Sequence, residues 1–378
     1  MRSCRVCGAG LELLLTYENM PKAAQYLPRK EDLTTEKGVD LRVCQCIPCG
    51  LVQLDNDPVP YYKEVIRAVG FSEDMKTFRS NQFQQLSLRH FAFHHNLYNK
   101  KVVEIGCGTG DYLSLIKKNK IHCYGIEASK SAVQKCIDNG LDVYEMFVEG
   151  PEDKIPNAPF DAFFIMNFFE HLPDPNGTLQ GIYANLVDGA IGVVEVPNFD
   201  MMIRENLFSE FIGDHLFYFT HDTLIQTLQR NGFEVLECKE TWYNYILRAT
   251  VKKRTETDLS KFVEFRELLT EDLHDYVNSF FRVATWGAGH QALAILSLAN
   301  LANKIKYVID DAPFKQNKYT PATHIPIVSS KNLDTDPVDA VIVMAASYSD
   351  EVAAKLKESH GKKVKIAILR ERSLEIIN

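Results

Sequence analysis

The chain has 378 residues, 46% hydrophobic and 24% charged, with a net charge of −8. That length is more than one core ordinarily supports, and the composition excludes collagen, coiled coil and disorder. The acidic balance argues against nucleic acid as a partner, no apolar run reaches the roughly 18 residues a membrane helix needs, and Met1-Arg2-Ser3-Cys4 does not resemble a secretory signal.

Five of the nine cysteines (Cys4, Cys7, Cys44, Cys46 and Cys49) fall in the first 49 residues. An odd total with no secretory signal reads as a reduced, cytoplasmic protein, so the cluster needs a purpose other than disulfides. Cys4-Arg5-Val6-Cys7-Gly8 and Cys46-Ile47-Pro48-Cys49-Gly50 are two CxxC knuckles, each followed by a glycine that lets the turn aim N–H groups at sulfur. Cys4, Cys7, Cys46 and Cys49 are the expected Zn²⁺ ligands. Cys44 could stand in for Cys46, although its longer spacing to Cys49 makes the poorer loop. Four thiolates leave no open coordination position, so the metal is structural. Leu51, Val52 and Leu54 follow where a nucleic-acid-binding ribbon would be basic. Residues 1–65 form a zinc-binding domain that owes much of its folding to the metal.

From about residue 66 strands alternate with helical stretches, which implies βαβ units and a parallel sheet over 66–250. Lys101–Ile105 is a buried strand that enters Gly106-Cys107-Gly108-Thr109-Gly110, and a helical pattern follows through Leu113, Leu115 and Ile116. The strand His122–Ile126 delivers Glu127, 21 positions after Gly106, where it can accept hydrogen bonds from two ribose hydroxyls. Further strands are expected over Phe160–Met166, which runs into Asn167, and over Ala190–Val196. Glu152 or its neighbours would lie near the base. The loop is GxGxG preceded by Glu104, not the GxGxxG of dinucleotide sites, and an acid there suits a cationic ligand and repels pyrophosphate. The motif closely resembles that of class I methyltransferases. The donor site it implies, for S-adenosylmethionine, comprises Glu104, Gly106, Cys107, Gly108, Gly110, Glu127 and Asn167.

Residues 251–281 carry Leu259, Phe262, Phe265, Leu268, Leu269, Leu273, Tyr276 and Val277 at helical spacing, a connecting amphipathic helix whose apolar face is expected to be core. Beyond it Gly287, Gly289 and Ala292 form GxGxxA, followed by the strands Lys306–Asp310 and Ala340–Met344. Residues 251–378 are therefore a second, smaller α/β domain. Its glycine loop and Asp310 have a dinucleotide pattern, without an evident acid–base set.

Of eleven histidines two stand out. His171, in Glu170-His171-Leu172-Pro173-Asp174, follows the fourth strand on the face where such sheets hold ligands, and His215, in Asp214-His215-Leu216-Phe217-Tyr218-Phe219, rims the same crevice. A neutral imidazole there can take a proton from substrate.

The order CxxCG, CxxCGLVQ, GCGTG, EHLPDP, EVPN, DHLFYF, WGAG and YTPATHIPI resembles the three-domain sugar C-methyltransferases across essentially the whole chain. The resemblance implies an α/β protein with an N-terminal zinc-binding domain, a central class I Rossmann-like domain and a C-terminal Rossmann-like domain without a redox cofactor. It implies S-adenosylmethionine as donor and a nucleotide-linked 4-keto-deoxysugar as acceptor, whose pyrophosphate the C-terminal loop could accept. His215 would abstract a proton next to the ketone, Asp214 would orient or polarise it, and His171 would support the enolate. A monomer or weak homo-oligomer is expected. The chain departs from the family at Ile212, where a tyrosine is usual, at Asp214, where glutamate is usual, and over Val69–Met75, where a tyrosine and serines are usual. Tyr61, Tyr62 and Tyr218 are candidates to supply the missing hydroxyl. The departures leave O- or N-methylation of a sugar or other metabolite, or a non-catalytic binding protein, as alternatives.

Overall fold

The structure, a computed structural model, describes residues 3–22, 24, 27–64, 72–86, 100–118 and 122–378. Val69, Gly70 and Phe71, part of the divergent entry segment, lie outside the described residues. The chain divides into two compact units, 1–255 and 256–378.

In the first unit β1 (Glu12–Met20), β2 (Val39–Gln45) and β3 (Val52–Leu54) form an antiparallel sheet. Helix α1 (Glu73–Leu86) precedes the alternating pattern: β4 (Lys101–Ile105), α2 (Asp111–Lys117), β5 (His122–Glu127), α3 (Lys130–Asp138), β6 (Asp142–Glu145), β7 (Phe160–Met166), α4 (Pro175–Ala184), β8 (Leu186–Pro197) and α5 (Phe199–Arg204). Next come β9 (Phe217–Tyr218), α6 (His221–Arg230), β10 (Phe233–Thr241) and β11 (Ile246–Lys253). The large sheet has the order β10-β11-β8-β7-β4-β5-β6, and β11 alone runs against the others. Its order reverses between β4 and β7. The loops that follow those two strands, 106–110 and 167–174, therefore flank the crevice where a parallel sheet holds its ligand.

The amino-terminal segment does not stand apart from this sheet. Strand β9, from the far side of the sequence, pairs with β3 through Val52↔Tyr218 and Gln53↔Phe217. Cys4, Val6, Leu11, Cys46 and Leu51 are buried in the same apolar cluster as Phe163, Phe169, Phe217 and Phe219. Local signals set the helix ends. Asp174 accepts the Gly177 N–H at 2.9 Å and Pro175 opens α4, so the segment carrying His171 stops where α4 begins. Thr220 caps α6 by accepting from Thr223 N–H, and Leu224, Thr227 and Leu228 bury one face.

In the second unit α7 (Ser260–Asn278), β12 (Val283–Trp286), α8 (His290–Leu298), β13 (Ile305–Ile309), β14 (Lys318–Tyr319), β15 (Pro326–Val328), α9 (Asn332–Thr335), β16 (Ala340–Val343), α10 (Ser349–His360), β17 (Lys365–Leu369) and β18 (Leu374–Ile376) follow one another. The sheet order is β14-β15-β13-β12-β16-β17-β18, with a parallel core of five strands and antiparallel edges. Helix α7 departs from expectation. Leu269, Leu273 and Val277 are buried, but Leu259, Phe262, Phe265 and Leu268 are exposed. Helical spacing establishes that an apolar face exists, not that something covers it.

Candidate active site

The donor side is built on the turn after β4. Gly106, Gly108 and Gly110 all take left-handed backbone conformations, with φ of 68°, 55° and 80°. A methyl group on Gly106 would sit 2.6 Å from the Phe168 ring, so the loop reaches that ring only with no side chain. A methyl group on Gly108 would meet nothing within 4 Å; that open space is where a ligand can approach backbone. Behind the loop lies a pocket lined by Gly106, Glu127, Phe147, Val148, Phe168 and Lys63. Lys63 Nζ lies 4.7 Å from the centre of the Phe147 ring and pairs with Glu149 at 2.5 Å.

Glu127 accepts Gly108 N–H at 2.9 Å and Ser129 N–H at 2.8 Å, so its carboxylate ties the loop to the end of β5. The other expected donor residues divide. Glu104 and Cys107 are fully buried, and Cys107 can offer only its backbone to a ligand. The Cys107 thiol donates toward the Cys136 sulfur, and this bond together with burial pushes it far above its ordinary value. Asn167 takes φ of 52° and donates its N–H to the Glu195 carbonyl, turning the chain off β7 toward His171. Glu152 is exposed and does not line the pocket; Phe147 and Val148, further back toward β6, do.

One ring separates the donor loop from the histidines. Phe168, packed at Gly106, has its centroid 6.4 Å from that of His171, and the His171 and His215 rings meet edge to face at 4.7 Å. His171 Nδ1–H donates to the Asp214 carbonyl at 2.7 Å, which leaves Nε2 as an acceptor, 3.7 Å from Glu170 Oε1. Burial lowers the His171 pKa, with the Asp214 carbonyl working against it. Burial and the neighbouring His171 hold His215 well below its ordinary value. Both rings are neutral near pH 7. The His215 ring has no hydrogen-bond partner among the described residues and keeps some surface exposed.

Asp214 makes no hydrogen bond to the His215 ring. Its carboxylate accepts the Tyr61 hydroxyl and the Ala24 N–H, each at 2.7 Å, so it grips the amino-terminal segment while its carbonyl grips His171. The Tyr218 hydroxyl is engaged with the backbone of Ile212. Of the three candidate tyrosines, Tyr61 is therefore the one bound to the Asp214 carboxylate. Glu170, buried beside His171, was not singled out from sequence; it is visible there only as the residue preceding a histidine.

The four expected thiols converge. The sulfurs of Cys4, Cys7, Cys46 and Cys49 all lie within 4.8 Å of one another, with Cys4–Cys49 at 3.7 Å and Cys7–Cys46 at 3.3 Å. A tetrahedral ion with Zn–S of about 2.3 Å needs S–S separations of about 3.8 Å, so the set has the size to hold a metal. Gly8 and Gly50 take φ of 79° and 76°, and the knuckles direct the amides of Ala9 and Leu51 at the sulfurs of Cys7 and Cys49. Burial opposes ionisation of Cys7, but the Ala9 amide and the other thiols bring it down to about 7; burial pushes Cys46 up to about 11. Cys44 is buried on β2 and stands outside the cluster.

In the second unit a crevice lined by Trp286, Gly289, Ala292, Lys315 and Tyr348 lies over the GxGxxA loop. Asp310 accepts the Ala288 and Ala312 amides and pairs with Lys315 at 2.7 Å; against burial, these keep it below the usual carboxylate range. The carboxylate a dinucleotide ribose would need is thus occupied in holding its own loop.

Two family models match this chain, a methyltransferase domain over residues 75–238 and a C-methyltransferase C-terminal domain over 257–369. With the glycine loop at the sheet's switch point, they define an S-adenosylmethionine-dependent methyltransferase. Along 94% of its length the chain is similar to the C-methyltransferase NovU of Streptomyces niveus, at 22% identity and covering 92% of that protein. Shorter stretches are similar to ubiquinone biosynthesis O-methyltransferases. One, from Azoarcus sp., is 24% identical over 46% of this chain and 81% of the relative. The other, from Methylococcus capsulatus, is 30% identical over 24% of this chain and 40% of the relative.

Proposed function

We propose that the protein transfers a methyl group to a carbon next to a ketone, on a keto-deoxysugar carried by a nucleotide. The observation that carries this reading is the His215 ring, neutral, unengaged and partly open, one neighbouring imidazole and one phenyl ring from the donor loop. A carbon next to a carbonyl becomes nucleophilic only when its proton leaves, and a neutral imidazole is the base for that task near pH 7. His215 takes the proton. His171, fixed through Nδ1 by the Asp214 carbonyl, presents Nε2 to the same space, where it can receive the proton that the adjacent His215 has taken and turn it toward the developing oxyanion. Asp214 acts by position, holding His171 with its carbonyl and Tyr61 with its carboxylate.

S-adenosylmethionine, when bound, supplies an electrophilic methyl group. Gly106 and Gly108 would let it approach the backbone, Glu127 would meet its ribose, and Phe147 and Val148 would flank its base. Zn²⁺ would be held by Cys4, Cys7, Cys46 and Cys49 in a closed, structural site. In the second unit Asp310 is already engaged by its own loop, which argues against a redox dinucleotide there.

The test is incubation with methyl-labelled S-adenosylmethionine and a panel of nucleotide-linked keto sugars in D₂O. Carbon methylation predicts exchange of the proton next to the ketone, dependent on His215, and a methyl group on that carbon. Methylation without exchange would place the methyl group on oxygen or nitrogen and remove His215 as a carbon base.

A further inference from the structure

Gln53 is fully buried, and all its polar groups are engaged in one direction or another. Its Nε2–H donates to Cys4 Sγ at 3.2 Å, and its Oε1 accepts the Arg5 N–H at 3.2 Å, so the side chain closes over the first knuckle. Its backbone belongs to β3 and pairs with Phe217 of β9. The next residue, Leu54, donates its N–H to the Leu216 carbonyl at 3.0 Å, and Leu216 donates its own N–H to the Glu170 carbonyl at 2.8 Å. Leu216 and Glu170 are the immediate neighbours of His215 and His171. A second path runs beside the first. Arg5, inside the knuckle, donates from its guanidinium to the Pro173 carbonyl at 3.4 Å, and Asn176 donates to the Val6 carbonyl at 2.8 Å. Both sulfur-bearing and imidazole-bearing segments are thus fastened to the same short strand.

We propose that Gln53 is a positioning residue for methyl transfer: it couples the thiolate cluster to the strand that presents His215, so that metal loading sets the geometry of the two imidazoles while leaving the donor pocket alone. A hydrogen bond to a thiolate is charge-assisted, and it is strongest when a cation holds that sulfur ionised. Loss of the metal weakens the hold on β3, and through β3 the hold on Leu216. The glycine loop and Glu127 lie on β4 and β5, outside this chain of contacts, and are untouched by it. The activity part of this inference rests on the reading of His215 as the base; the structural part does not.

The experiment uses the full-length metal-loaded protein with Gln53→Met, which keeps the volume and loses the donor, and with Gln53→Glu, which keeps the shape should the first variant fail to fold. Bound metal is measured by elemental analysis, S-adenosylmethionine affinity by calorimetry, amide exchange by mass spectrometry, and imidazole environment by NMR. With metal content and donor affinity unchanged, amides of residues 214–219 should exchange roughly five- to tenfold faster, and the His171 and His215 signals should shift. Stripping the metal from the wild-type protein with a chelator should speed exchange in the same segment. Unmoved imidazole signals and full protection at 214–219 would overturn the proposal. So would faster exchange spread evenly over β4 to β8 with a matching loss of donor affinity, since Gln53 would then only support the fold. If these shifts occur but turnover is unchanged, the coupling stands and the assignment of His215 as base fails instead.

Discussion

Nδ1 of His171 lies 2.7 Å from the carbonyl oxygen of Asp214, the residue before His215, so one histidine is anchored on the backbone that carries the other. His215→Gln leaves that anchor in place and removes the proposed base. Turnover should fall on the order of 10² to 10⁴-fold, the usual worth of a positioned general base, with donor affinity within twofold of wild type. Methyl transfer from labelled S-adenosylmethionine and calorimetry check the two halves.

The same pair sets a pH dependence. Both imidazoles have folded-state pKa values below the ordinary value near 6.5, so the unfolded chain takes up their protons first. Their contribution to stability is complete above about pH 6.5 and is lost as the pH falls from there toward the folded values. Melting temperature against pH should decline on that acid side, and His171→Phe should flatten the decline. A slope of the opposite sign would mean the rings are charged in the folded protein.

Gly106 faces the Phe168 ring with no room for a methyl group and holds φ of 68°. Gly106→Ala should lower donor affinity by at least tenfold, and adding Phe168→Ala should restore only part of it. The second change makes space, but a left-handed backbone still costs an alanine about 1–2 kcal/mol. Calorimetric titration of the single and double variants separates the two costs.

Arg79 and Glu195 form a fully buried ion pair at 2.5 Å, with Gln82 bridging both through its side-chain amide. Removing one member strands a charge in the core. Glu195→Leu should destabilise the first unit by about 3–5 kcal/mol, and Arg79→Leu combined with it should be milder than Glu195→Leu alone. Chemical denaturation of the three proteins tests this; an additive double variant would deny that the two charges depend on each other.

Cys4→Ser or Cys49→Ser should release bound metal and lower the melting temperature of the first unit, while the second unit, which has its own apolar clusters, melts as before. Elemental analysis and calorimetric scanning read both effects.

The glycine loop, the four thiols and the two histidines were legible in the sequence because each carries its chemistry in a short local pattern. Glu127 was legible as an acid at a strand end, but not as a clamp on Gly108 N–H. Asp214 shows where such reading stops. Adjacency to His215 suggested that its carboxylate serves that ring, whereas the carboxylate turns to Tyr61 and Ala24, 153 and 190 residues away in the chain. A partner at that distance leaves no periodicity or spacing to read. Gln53 escaped for the same reason: its neighbours in sequence say nothing of a strand that arrives from residue 217. The apolar spacing of α7 was likewise real, but spacing carries no information about what lies opposite it.

Strand β9 has a practical consequence for anyone recombining relatives of this protein. Cutting at residue 65 looks like a clean module boundary, yet the exchanged piece would bring one edge of a sheet whose other edge stays behind at Phe217–Tyr218. Hybrids that swap residues 1–65 together with 208–220 should keep their methyl-acceptor chemistry, and hybrids that swap either stretch alone should lose it.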